Sequence, residues 1–63
     1  MSIYRIWANR LEDTKNPRSW DEVPGSRRAG VKAVLADDVK TGHNEMTAER
    51  YEAITGEPYE GDE

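Results

Sequence analysis

Between Met46 and Pro58 the chain encloses a helix between its own start and stop signals, and this punctuation constrains the fold more than any other feature. The Thr47 hydroxyl is placed to accept a hydrogen bond from a first-turn amide that has no partner inside the helix. Glu49 sets negative charge at the positive end of the helix dipole. Gly56 suits the left-handed conformation that ends a helix, and Pro58 keeps one from resuming. The segment therefore predicts a short helix with Tyr51 and Ile54 facing inward and Met46 in a staple position ahead of it. Tyr59, beyond the stop, either folds back on Tyr51 and Ile54 or projects as a docking residue.

The same punctuation divides the rest of the chain. Ile3, Ile6, Trp7 and Leu11 recur at helical spacing, with Arg5, Asn9, Arg10 and Glu12 between them, which predicts an amphipathic first helix capped by Ser2 and ending near Asp13. Strict alternation fails at Ile6-Trp7, so a strand is the weaker reading. Pro17 pushes Asn16 out of helical geometry, and Thr14 to Arg18 reads as a turn. Ser19-Trp20-Asp21-Glu22 matches a capping box, while Pro24 disfavours helix at Val23, so Ser19 to Val23 predicts a single turn that presses Trp20 and Val23 into the core.

A long helix follows from Pro24 to Gly42, with Val31, Val34, Leu35 and Val39 as its apolar stripe and Ala29, Ala33 and Ala36 beside it. Gly30 inside that pattern costs roughly 1 kcal/mol relative to alanine, so either another helix approaches closely there, the favoured reading, or the regular helix begins later than Pro24. His43-Asn44-Glu45 is a short polar connection. The expected fold class is all-α, a small bundle of three short helices with an additional one-turn helical element. A single domain is expected over residues 1–59, with residues 60–63 as an acidic flexible tail.

Size makes such a fold marginal. The 63 residues offer fifteen sizeable side chains for a core: Ile3, Tyr4, Ile6, Trp7, Leu11, Trp20, Val23, Val31, Val34, Leu35, Val39, Met46, Tyr51, Ile54 and Tyr59. Full burial of each contributes roughly 1.5–3 kcal/mol, against an ordering cost of about 1.5 kcal/mol per residue. Without cysteine, helix packing or self-association must supply the stability, so a homodimer is one expectation. No apolar run approaches the roughly 20 residues of a membrane span, and there is no basic region followed by an apolar run at the start, so a soluble intracellular protein with no membrane partner is expected.

Charge is unevenly distributed. Residues 1–40 hold eight Lys or Arg against six Asp or Glu, whereas residues 41–63 hold Arg50 alone against seven acids. Arg27 and Arg28 near the start of the long helix, and Asp37-Asp38 near its end, each oppose the dipole by about 0.3–1 kcal/mol. Pairing of the arginines with Asp21, Glu22 or the acidic tail would offset this, as would an acidic partner or a phosphate. Reading of DNA is not expected, because the last helix carries Glu49, Glu52 and Glu57 with one arginine.

No residue set carries catalysis or a cofactor. His43 has no neighbouring His or Cys in sequence, and Asp37-Asp38 lacks the alternating acids and turn glycine of a calcium loop, so no metal site is expected. Ser19, Ser26, Thr47 and Thr55 stand where capping or turn chemistry explains them, and Gly25 and Gly30 do not form a phosphate-cradling loop. The candidate partner contacts are Trp7, Trp20, Arg27, Arg28 and Tyr59, with core packing as the plainer role for both tryptophans.

The run Thr47-Ala48-Glu49-Arg50-Tyr51-Glu52-Ala53-Ile54-Thr55-Gly56-Glu57-Pro58-Tyr59 resembles the ending of XkdX-like small proteins of tailed phages and prophages, with Met46 where that pattern usually has isoleucine. Trp7 to Leu11, Trp20 to Pro24 and Arg28 to Leu35 resemble a longer variety of these proteins from Gram-positive hosts. The resemblance implies a small acidic helical protein encoded among tail or tail-fibre genes, with no enzyme activity, no cofactor and no catalytic residues. Its expected partners are tail or tail-fibre proteins, and its expected location is the bacterial host cytoplasm during expression or the virion tail. The principal alternative is a small phage regulatory protein that binds nucleic acid through Arg27, Arg28 and Lys32.

Overall fold

Ser2 starts the first helix as its sequence position predicts: its hydroxyl accepts a hydrogen bond from the Arg5 amide at 3.1 Å, and helix α1 then runs over Ile3–Glu12. The computed structural model describes residues 2–59, so the acidic tail expected over 60–63 lies outside the described residues. Asp13 ends α1 in extended geometry, and its Oδ1 accepts from the Lys15 and Asn16 amides, turning the chain back before Pro17.

Ser19 opens a single 3-10 turn, Trp20–Glu22, with the capping box in place. The Ser19 hydroxyl accepts from the Asp21 amide at 3.2 Å, and Glu22 Oε2 accepts from the Ser19 amide at 3.2 Å. Helix α2 runs over Gly25–Thr41 and stops at Gly42, which takes the left-handed conformation at φ 76°. The polar connection His43–Glu45 is itself a 3-10 turn, with positive φ at Asn44 and Glu45. Helix α3 spans Ala48–Thr55. Its cap, Thr47, accepts from the Arg50 amide at 3.1 Å, and Gly56 ends it at φ 77°.

Among the described residues the architecture is three α-helices and two 3-10 turns, with no strand. Helix α2 is the central element: α1 and α3 both pack on it, and the His43–Glu45 turn folds against its end. The core gathers Ala8 and Leu11 from α1, Val23 from the first turn, Val31 and Leu35 from α2, Met46, and Tyr51 from α3. Met46 and Tyr51 are both buried, as a staple requires. Gly30 is a point of close approach, because a Cβ there would sit 2.4 Å from Cε1 of Tyr4.

The buried face of α1 differs from the expected one. Tyr4, Trp7, Ala8 and Leu11 pack inward, whereas Ile3 is 41% exposed and Ile6 is half-buried outside the core set. The helix is rotated by about 100°, one residue's turn, from the Ile3-Ile6 stripe. The cause lies on α2: the Tyr4 ring fills the space above Gly30, and Arg5 and Glu12 are drawn toward Asp38. Likewise Ala29 and Ala33 are exposed on the outer side of α2, and Ala36 alone of the three alanines packs against the core.

Candidate functional site

The most organised polar feature is a largely buried network between one face of α1, the end of α2 and the turn that follows. Arg5, Asn9 and Glu12 stand at i, i+4 and i+7 on α1 and so share a face. Arg5 Nη2 donates to Asp38 Oδ1 at 2.8 Å and Nη1 to Oδ2 at 2.9 Å, a two-point pair with a carboxylate that is 1% exposed. Arg5 Nη1 also reaches Asn9 Oδ1 at 3.2 Å. Asp38, expected to oppose the dipole at the end of α2, thus has its charge met from another helix.

Glu12 lies beside this pair and is buried as well. Asn44 Nδ2 donates to Glu12 Oε1 at 2.6 Å, while Glu12 Oε2 is sealed from solvent and meets no hydrogen-bond donor. The left-handed backbone at Asn44 aims that amide inward, a conformation asparagine adopts more readily than most residues. Arg50 supports the same turn from α3: its guanidinium donates to the carbonyls of Asn44 at 2.7 Å, Glu45 at 3.2 Å and Glu12 at 2.7 Å. The last of these gives the C-terminus of α1 a cationic cap.

Burial pushes the Glu12 carboxyl up to about 7, and its hydrogen bond with Asp38 acts in the same direction, opposed by Asn44. For Asp38, burial alone would raise the carboxyl, but hydrogen bonds from Arg5 and Glu12 outweigh it and hold the group below the ordinary aspartate range. Arg5 is raised, first by its hydrogen bond to Asp38. The two carboxyls thus behave as a neutral acid donating to an ionised neighbour. His43, without a His or Cys near it in sequence, is brought by the fold to this pair of carboxyls.

The five candidate contacts find separate surroundings. Trp7 and Trp20 are half-buried against the core, Trp20 beside a hollow lined by Leu11, Pro17 and Ile54. Arg27 lies over the Tyr4 ring, 5.9 Å from its centroid. Arg28 Nε donates to the Val23 carbonyl at 3.0 Å and Nη2 to the Asp21 carbonyl at 3.3 Å. These arginines therefore meet an aromatic face and backbone carbonyls rather than the carboxylates of Asp21 or Glu22, and Glu22 pairs with Arg18 instead, at 3.5 Å. Lys32 donates to Glu57 across the α2–α3 contact. Tyr59 folds back edge-on to Tyr51, with ring centroids 5.4 Å apart.

Four of the hydroxyls are engaged structurally. Those of Ser2, Ser19 and Thr47 accept helix amides, and Thr55 donates to the Tyr51 carbonyl at 3.0 Å. The Arg5-Asp38-Glu12-Asn44 set was not among the sequence candidates, although Arg5, Asn9 and Glu12 repeat with helical period and so carry a signal of a polar inward face. No helix among the described residues is long and apolar enough to cross a membrane. Comparison of the chain with protein-family models, with curated proteins and with solved structures finds no match.

Proposed function

We propose that this chain is a non-enzymatic interaction protein of a phage or prophage tail module, acting in assembly or as a minor structural piece. The observation that carries the reading is the outward side of α1, where Ile3 is 41% exposed and Ile6 stands outside the core, with Trp7 at the rim and Arg10 exposed between them. Apolar side chains turned away from a core this small suit a protein surface better than bulk water. The Met46–Tyr59 order, similar to that of XkdX-like proteins, supports the choice of tail or tail-fibre proteins as the partners. Under this reading the protein is made in the host cytoplasm and joins the tail during assembly.

The test uses the purified chain and the tail and tail-fibre proteins encoded beside its gene. Size-exclusion chromatography with light scattering should show a complex at micromolar concentration that Ile3→Asp abolishes while circular dichroism stays unchanged. If none of those proteins associates with the chain, or if the substitution leaves the complex intact, the reading fails.

A further inference from the structure

Glu12 is the least compensated group in the buried network. The residue is 3% exposed, Oε1 is held by Asn44, and Oε2 meets no hydrogen-bond donor. The neighbouring guanidinium, Arg5, is committed through both nitrogens to the two oxygens of Asp38. Two buried carboxyl groups therefore have one cation between them, so Glu12 stays a neutral acid unless a further positive charge displaces its proton. The exposed imidazole of His43 stands at the mouth of this pair: one ligand atom from each of Glu12, Asp38 and His43 lies within 4.8 Å of the others.

We infer that Glu12, Asp38 and His43 form a binding site for a divalent transition-metal ion, zinc in particular, that joins the end of α1 to the end of α2 and the turn after it. Two carboxylate oxygens and one imidazole nitrogen are donors that zinc takes at about 2.0–2.2 Å. Magnesium and calcium favour shells of oxygen alone, so the imidazole selects against them.

The supporting groups are already in place. Arg5 orients Asp38 and Asn44 orients Glu12, the outer hydrogen bonds that fix metal-ligating carboxylates in one geometry. Water completes the shell from a hollow lined by Asn9, Asp13, Thr14 and His43. The ion supplies the positive charge that Oε2 lacks, and the charge on Arg5 keeps the affinity moderate. This site is independent of the tail-module reading and of the outward α1 face.

The full chain, freed of metal with a chelator and then dialysed, is titrated with zinc alone near neutral pH by calorimetry. A single saturable event is expected, weakened about tenfold or more by Glu12→Gln and by His43→Ala. Zinc should also raise the thermal midpoint of the wild-type chain and leave that of Glu12→Gln unchanged. Both variants suit folding, since the first keeps the side-chain shape and the second alters an exposed residue. Independently of any variant, zinc should shift the His43 imidazole resonances in NMR spectra. No saturable zinc binding, unmoved His43 resonances, or binding retained in Glu12→Gln would each overturn the site, the last reducing it to an exposed histidine.

Discussion

Across 33 residues of chain, the Arg5 guanidinium holds both oxygens of the Asp38 carboxylate at 2.8 and 2.9 Å. The pair fixes the rotation of α1 on α2 and neutralises a charge placed badly for the helix dipole. Arg5→Ala leaves an almost fully buried carboxylate without its counter-charge. Breaking a buried pair from one side costs about 3–5 kcal/mol. The Arg5 side chain is 28% exposed, so water replaces part of what is lost, and about 2 kcal/mol is the expected decrease in urea denaturation. A decrease within about 0.5 kcal/mol, the range of ordinary surface substitutions, would show that the pair does not hold the helices.

Gly30 and Tyr4 should be coupled. Alanine at position 30 gains roughly 1 kcal/mol in helix propensity, but its Cβ would stand 2.4 Å from the Tyr4 ring. Gly30→Ala is expected to destabilise the wild-type chain by about 1–3 kcal/mol through overpacking. In a Tyr4→Ala background the same change should stabilise. A double-mutant cycle measures this directly, and additive effects would mean that the ring moves aside freely.

Stability should peak at mildly acidic pH in zinc-free buffer. The Glu12 carboxyl is raised from 4.5 to about 7, so the folded state holds a proton that the unfolded chain releases. That contribution, on the order of 3 kcal/mol, is complete below about pH 4.5 and is lost as pH rises through about 7. Asp38 is depressed from 3.8, so its contribution is present above that value and is lost as pH falls through the lowered one. Arg5, Asp38, Asn44 and His43 are the polar and charged groups about Glu12. Thermal melts over this range should slope downward from acid to neutral pH, and Glu12→Gln should flatten that slope; a variant that keeps it would exclude Glu12 as the cause.

The register of α1 makes Ile3 and Leu11 unequal despite their similar chemistry. Leu11 is 2% exposed, and Leu11→Ala is expected to cost about 2–5 kcal/mol. Ile3→Ser should stay within about 0.5 kcal/mol, because the side chain already faces outward. Equal losses at the two positions in denaturant titrations would place both in the core and contradict the observed rotation.

These residues also mark how far the sequence can be read. Ser2, Ser19 and Thr47 cap, and Gly42 and Gly56 stop, through contacts within four positions of themselves, so these boundaries are legible locally. The need for close approach at Gly30 is legible too, but not that Tyr4 answers it. The rotation of α1 is not legible, because Ile3-Ile6-Leu11 and Tyr4-Ala8-Leu11 are both helical stripes and the choice between them depends on partners on α2. The candidate network is hidden for the same reason. Glu12 and Asn44 are 32 positions apart, and their meeting depends on how the chain turns at Gly42, not on any local pattern.

Arg50 has a further consequence for how this protein is assembled. Its bond to the Glu12 carbonyl spans 38 positions, so the first helix receives its closing partner from α3, the last of the described helices. A chain emerging from the ribosome with only α1 and α2 complete has an unsealed helix end and a turn whose Asn44 and Glu45 carbonyls still lack their Arg50 partner. The segment that looks most self-sufficient in the sequence is therefore the keystone of the folding order. Opening of α3 should release α1 with it, and amide exchange should report one cooperative unit rather than a stable helical pair with a detachable end.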